Sequence, residues 1–373
     1  MMVTTMALVV VLAGGLVHPE LASQTPPQAA IAEPPPPPEK PAPRDPGTNP
    51  RTGAPMKGGL TVEDYAYEMP EGVTAREVIY YSDGIACYAK LFFPPGFDPQ
   101  EAEGRAAVVL GQGYAGTHHS IEKYGARFAA SGLVAMVIDY RGWGGSMGYP
   151  RIVEPVTVGG PLSRDDTRHE VVEAKVWLKR TRLLPQHQQT DYRNAISYIQ
   201  GEPGVDPERI GVWGSSLAGA NALAVAGQDA RVKVIAVQVP GIGGNPDGTP
   251  PTELKGPLLQ DAIAEARTGQ GAEVWSGYSR LRLHDAETYR AMRENNTLQW
   301  AKNIGTRPFM VIVAEHEELI DNEKAGKAAL AFAKGPTEYV VVQDTTHFEI
   351  YTGEAFETSV GAAARWFTTH LAR

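Results

Sequence analysis

The chain has 373 residues, 42% of them apolar and 21% charged, enough to bury a sizeable core. Thirty-four basic against 43 acidic residues leave a formal charge of −9. No stretch clusters Lys and Arg as a phosphate-tracking surface does, which excludes nucleic acid as a main partner. The single cysteine, Cys87, excludes an internal disulfide and any CxxC pair for zinc or redox chemistry. It sits in Ile85 to Ala89, which alternates like a half-buried strand, and reads as a small core residue.

Met6 to Val17 (MALVVVLAGGLV) is an apolar run of secretory-signal length, too short to span a bilayer. No Lys or Arg precedes it, and small residues at Ala22 and Ser23 mark the expected cleavage point. Residues 1–23 are therefore expected to be a signal peptide that sends the chain out of the cytoplasm, secreted or periplasmic. No stable membrane insertion is expected after its removal. Residues 24–60 are Pro-rich, with Pro34 to Pro38 in a row, and predict an extended, solvated linker.

From residue 61 to 373 the pattern predicts one folded domain. Val73 to Ser82 and Ile85 to Phe93 flank Asp83-Gly84, a hairpin signal. Ala106 to Leu110 is a continuous apolar run, as for a strand buried on both faces. Leu133 to Ile138, Arg209 to Trp213, Val232 to Val239, Pro308 to Val313 and Glu338 to Val342 are similar. Helical periodicity covers Ser120 to Ala130, about Asp166 to Gln200 with a break near Pro185, Leu217 to Ala226, Asn322 to Ala333 and Glu354 to Leu371. Two antiparallel strands followed by strand–helix units imply an α/β fold: a mostly parallel sheet, eight strands by this count, flanked by helices. About 240–307 carries helical patches and no clear strand, the signature of a cap inserted over a site. Trp143, Tyr149, Trp275 and Tyr278 fall near the loops that would line a pocket.

The sharpest local signal is Arg209-Ile210-Gly211-Val212-Trp213-Gly214-Ser215-Ser216-Leu217-Ala218-Gly219. A buried strand runs into a bend of small residues and then a helix, which lifts Ser216 out of the sheet as an exposed nucleophile. Residues two before and two after it must be small, here Gly214 and Ala218. Ser215 would face the wrong way. The Leu217 N–H, at the positive end of the new helix, is a candidate donor to an oxyanion formed at Ser216.

With this elbow the chain resembles the α/β-hydrolase superfamily, closest to dienelactone-hydrolase-like and secreted esterase or peptidase-like members. Val108 to Thr117 (VVLGQGYAGT) is similar to the family's strand and oxyanion loop, with Gln112 where histidine is more usual. Asp139 to Ser146 (DYRGWGGS) resembles its DYRGxGxS turn, and Thr346 to Tyr351 (THFEIY) its catalytic-histidine segment. The resemblance covers almost everything after residue 61. It implies an α/β-hydrolase fold with a helical cap, and the Tyr114 backbone N–H as second oxyanion donor. It also implies His347 as the general base that takes the Ser216 proton. Asp139 reads as structural. The acid follows the strand ending at Val313, where family members carry aspartate and this chain has Glu317. Glu318 and Asp321 stand as competitors.

The chemistry implied is cleavage of a small-molecule carboxylic ester, or of an amide, through an acyl-enzyme. Rival readings are a peptidase or amidase using the same triad, an acyltransferase, and a non-catalytic binding protein of the same fold. No motif calls for an organic cofactor or a metal. His118 and His119 follow the oxyanion loop, but adjacent residues are expected to point apart and to make a poor metal site. The acyl and alcohol groups and the oligomeric state are not legible.

Overall fold

The computed structural model describes residues 60–152, 173–180, 182–245, 248–249, 251–268 and 285–372, all within one compact unit. The expected signal segment 1–23, the linker up to residue 59, and Trp275 and Tyr278 lie outside the described residues. Among the described residues no helix is long and apolar enough to cross a membrane.

A one-turn helix α1 (Val62–Tyr65) precedes the antiparallel pair β1 (Thr74–Ser82) and β2 (Ile85–Phe93). Asp83 (φ 49°) and Gly84 (φ 77°) form the two-residue turn with both central residues left-handed, which matches the strand twist and pairs Ser82 with Ile85. Then follow β3 (Arg105–Gly111), α2 (Glu122–Ala130), β4 (Val134–Ile138), the short pair β5 (Tyr149–Ile152) and β6 (Val176–Lys179), and α3 (Pro185–Gln200). The elbow units are β7 (Val205–Ser215), α4 (Leu217–Gln228) and β8 (Val232–Gln238). Between β8 and β9 lie α5 (Gly256–Thr268), α6 (Ala286–Arg293) and α7 (Leu298–Ala301). The chain closes with β9 (Phe309–Ala314), α8 (Asn322–Leu330), β10 (Thr337–Val342) and α9 (Gly353–His370).

Eight strands form one sheet in the order β1-β2-β4-β3-β7-β8-β9-β10. β1, β2 and β4 pair antiparallel, and every pairing from β4 to β10 is parallel. Parallel strands need crossover helices on the faces, which is why their sequences are apolar on both sides. β3 shows the consequence at residue level. Ala107 and Val109 join the core beneath α3 and α4, while Ala106, Val108 and Leu110 join the core beneath α2 and α9. β7, fourth from the β10 edge, has α3 and α4 against one face and Phe128 of α2 and Phe367 of α9 against the other.

One expectation is corrected. Of the helix expected from about Asp166, residues 166–172 lie outside the described residues, and among the described ones the helix begins at Pro185, which occupies its first turn, where a missing N–H costs nothing. Val176–Lys179 instead pairs antiparallel with Tyr149–Ile152, as the alternation of Val176, Trp177, Leu178 and Lys179 about the strand permits. This small ribbon is tied by charge to the segment between β8 and β9. Arg182, 5% exposed, reaches Glu265 of α5 at 3.1 Å, Asp285 ahead of α6 at 3.0 Å, and Glu287. Arg151 also pairs with Glu265, and Lys179 with Asp285 at 2.8 Å. Trp143 and Tyr149 are buried in the core, and Trp143 donates its indole N–H to the Arg182 carbonyl at 3.1 Å.

Cys87 lies on β2 with no exposed surface, and burial pushes its thiol up to about 12. The native protein is therefore expected to resist a thiol-specific maleimide at pH 8, and to take up one equivalent once unfolded in guanidinium, as read by mass spectrometry.

Candidate active site

The bend between β7 and α4 is sharp. Ser216 has φ 55° and ψ −123°, a left-handed conformation that L-residues adopt only at a cost of about 1–3 kcal/mol. Backbone bonds hold it on three sides. Ser216 N–H donates to the Gln238 carbonyl at 2.9 Å, and the Ser216 carbonyl accepts from Gly219 at 3.0 Å and Gly241 at 2.7 Å. Gly214 has to lack a side chain: a Cβ there would lie 2.2 Å from the Ala218 carbonyl oxygen. Ser216 is half-buried and open to one side, whereas Ser215 is fully buried. The Ser215 hydroxyl is taken by the Tyr351 hydroxyl at 2.5 Å and the Gln238 carbonyl at 3.2 Å, so it turns away from the cleft as expected.

His347 follows β10 and meets this serine. Its Nε2 lies 3.1 Å from Ser216 Oγ, and its Nδ1 lies 2.8 and 3.0 Å from the two Glu317 oxygens. Both residues are buried, His347 at 2% and Glu317 at 4% exposure. A buried carboxylate needs its hydrogen bonds supplied by the protein. Glu317 Oε1 also accepts the backbone N–H groups of Leu319 at 3.0 Å and Ile320 at 3.2 Å.

The competing acids have other partners. Glu318 Oε2 accepts the backbone N–H of His347 at 2.9 Å, so it grips the loop rather than the ring. Asp321 caps α8 by accepting from the Lys324 N–H at 3.1 Å. Geometry therefore singles out Glu317 beside the imidazole.

The loop after β3 passes over the serine. A Cβ at Gly113 would fall 3.0 Å from Ser216 Cβ and 3.5 Å from its Oγ, so only glycine lets the backbone come this close. Tyr114 follows directly, half-buried, and Ala115 is left-handed at φ 57°. Leu217 is the first residue of α4, and its N–H has no acceptor within the helix. Two backbone donors are thus carried by the segments that flank Ser216 Oγ.

Asp139, fully buried, braces this region. Its carboxylate accepts the backbone N–H of His118 at 2.7 Å and of Gly145 at 2.8 Å, and the Gln112 side-chain amide at 3.4 Å. It also meets His118 Nδ1 at 2.5 Å. Here the expectation that His118 and His119 point apart is corrected. They sit in a 3-10 turn (His118–Ser120), not an extended strand, and their ring centroids are 3.9 Å apart. Alternation of successive side chains belongs to extended backbone, so the adjacent pair faces the same way.

The remaining histidines lie elsewhere. His187 contacts Tyr149, His370 contacts Trp366, and His316 lies on the acid loop. His18, His169 and His284 lie outside the described residues.

An acetyl xylan esterase family model matches residues 71–243, and an alpha/beta hydrolase fold model matches residues 170–350. An uncharacterized 31.7 kDa Escherichia coli protein from the traX-finO intergenic region is 25% identical over 291 residues, covering 71% of this chain and 91% of its own. The quorum-quenching protein AidA of Acinetobacter baumannii is 25% identical over 322 residues, covering 76% and 91%. Among solved structures, the alpha/beta hydrolase GrgF from a Penicillium species aligns with a TM-score of 0.59 at 19% identity, over 80% of this chain and all of its own. The fold and these matches define an α/β hydrolase. Its fold is theirs, and the matches support a hydrolase acting on esters.

Gly214→Ala is expected to lower the urea midpoint by the equivalent of about 1–3 kcal/mol, the usual cost of forcing a methyl into packed backbone. The same substitution at Gly361, exposed in the middle of α9 where a Cβ meets nothing within 4 Å, should raise the midpoint slightly, by the equivalent of up to about 1 kcal/mol.

Proposed function

We propose that this chain cleaves small-molecule carboxylic esters by two-step acyl transfer on Ser216. The observation that carries the reading is the hydrogen-bonded chain from Ser216 Oγ to His347 Nε2 and from His347 Nδ1 to Glu317. His347 accepts the serine proton as Oγ attacks the ester carbon, then returns it to the departing alcohol. Glu317 fixes the imidazole with its proton on Nδ1 and stabilises the imidazolium that forms. The backbone N–H groups of Leu217 and Tyr114 stabilise the oxyanion of each tetrahedral intermediate, and water resolves the acyl-enzyme by the reverse use of His347.

Esters are favoured over amides because an alkoxide leaves with less help than an amine. The acetyl xylan esterase match over residues 71–243 supports the same preference and points to short acyl groups. The cap, part of which lies outside the described residues, would set the fit of the alcohol side. Export to the periplasm or the medium belongs to the same reading, and rests on the apolar run from Met6 to Val17.

Ser216→Ala and His347→Ala are each expected to reduce kcat on a chromogenic acetate ester by about 10⁴–10⁶, with near-native circular dichroism. Glu317→Gln should cost about 10²–10⁴, since the glutamine keeps the contact but favours the wrong tautomer. A panel of chromogenic esters of graded acyl length, with matched amides, gives the specificity. Amide turnover equal to ester turnover would favour the peptidase or amidase reading. A silent Glu317→Gln beside a damaging Asp321→Asn would overturn the choice of acid.

A further inference from the structure

The reaction above leaves His118, His119 and Glu122 unused, although they follow the loop that covers Ser216. Glu122 opens α2 directly after the 3-10 turn that carries both histidines. Glu122 Oε1 lies 3.5 Å from His118 Nε2 and 3.5 Å from His119 Nδ1, and all three atoms lie within 4.8 Å of one another. Those separations are longer than a close imidazole–carboxylate hydrogen bond. They match the edges of a coordination tetrahedron: with metal–ligand bonds of about 2.0–2.2 Å, neighbouring ligands stand about 3.3–3.6 Å apart.

The groups behind the three atoms also fit. Metal-binding imidazoles pass their second ring N–H to a carboxylate, and ligating carboxylates are themselves hydrogen-bonded. His118 Nδ1 lies 2.5 Å from the fully buried Asp139, which holds the ring proton there and leaves the Nε2 lone pair facing Glu122. Glu122 Oε2 accepts from Lys90 Nζ at 2.6 Å and from the Tyr67 hydroxyl at 2.8 Å, which leaves Oε1 as a one-oxygen ligand. Asp139 and Glu122 together outweigh Lys90 by one negative charge. His118 and Glu122 are buried, whereas the His119 side chain is 70% exposed and gives a path for entry.

A second group among the described residues, Glu315, His316 and Asp344, is weaker. Its imidazole–carboxylate distances are 3.8 Å, and the Asp344 side chain is almost wholly exposed.

We propose that His118, His119 and Glu122 bind one divalent transition metal of the zinc class, with a fourth position open to water. Two imidazoles and one carboxylate are a donor set that suits Zn²⁺ and disfavours Mg²⁺ or Ca²⁺. The ion would bridge the 3-10 turn to the start of α2. Through Asp139, which His118 and Gln112 share, it would stiffen the loop over Ser216 without touching the reacting atoms.

The test uses the untagged, chelator-treated full chain, titrated with Co²⁺ and followed by the visible band of tetrahedral cobalt. Zn²⁺ is then added as competitor, and Tm is recorded with and without Zn²⁺. One cobalt per chain, displaced by zinc, and a Tm that rises with free Zn²⁺ are expected. His119→Ala, a change at an exposed position, should keep the metal-free Tm. It should weaken binding beyond the ~10–100-fold that follows loss of an outer partner. Ser216→Ala and His316→Ala should bind as wild type, which separates this site from the hydrolytic one. Absence of the tetrahedral band, its survival in His119→Ala, or its loss in either control variant would overturn the proposal.

Discussion

The left-handed bend at Ser216 is the constraint on which the rest of the site depends. A serine held at φ 55° and ψ −123° is unfavourable in isolation and persists because the surroundings over-determine it. Gln238 at the end of β8 takes its N–H, Gly219 and Gly241 take its carbonyl, and the absent side chain of Gly214 lets the strand meet the helix. The bend decides which of two adjacent serines reaches the cleft. Ser215 is spent on Tyr351 and Gln238 in the core, and Ser216 is turned toward His347.

The parallel sheet is what makes so local a feature rigid. β7 is paired on both sides, to β3 and β8, and helices cover both of its faces. The loop that follows β3 and the elbow that follows β7 therefore emerge side by side at the same end of the sheet, which is where α/β sheets place their ligands. Close approach of Gly113 to Ser216 follows from that adjacency of strands, not from any affinity of the loop for the serine.

Much of this was legible in the chain because the signals were strong and local. Buried strands appear as unbroken apolar runs, and the elbow carries its small residues at fixed offsets. The Asp83-Gly84 turn fixes its hairpin within a residue. What stayed open or escaped was decided by contacts distant in sequence. Glu317, Glu318 and Asp321 are alike as letters, and only their partners tell them apart: an imidazole, a backbone N–H and a helix cap. The β5–β6 ribbon is too short, and its Pro150 too unlike a strand residue, to stand out against a helical reading of the region after Asp166. The histidines at 118 and 119 face the same way because the backbone coils there, and side-chain alternation holds only along extended chain.

The strand-end loops that carry the acid and the histidine are stitched together more often than two loops need to be. Glu315 accepts the Asp344 N–H at 2.9 Å, His316 donates its N–H to Thr345 at 2.9 Å, and Glu318 holds the His347 main chain. Below them β9 and β10 run parallel in continuous register. Acid and base are thus mounted on one pair of strands, which the β8–β9 pairing joins to the strand that carries the serine. The tilt of the imidazole is therefore set by the main chain of its own loops as well as by Glu317.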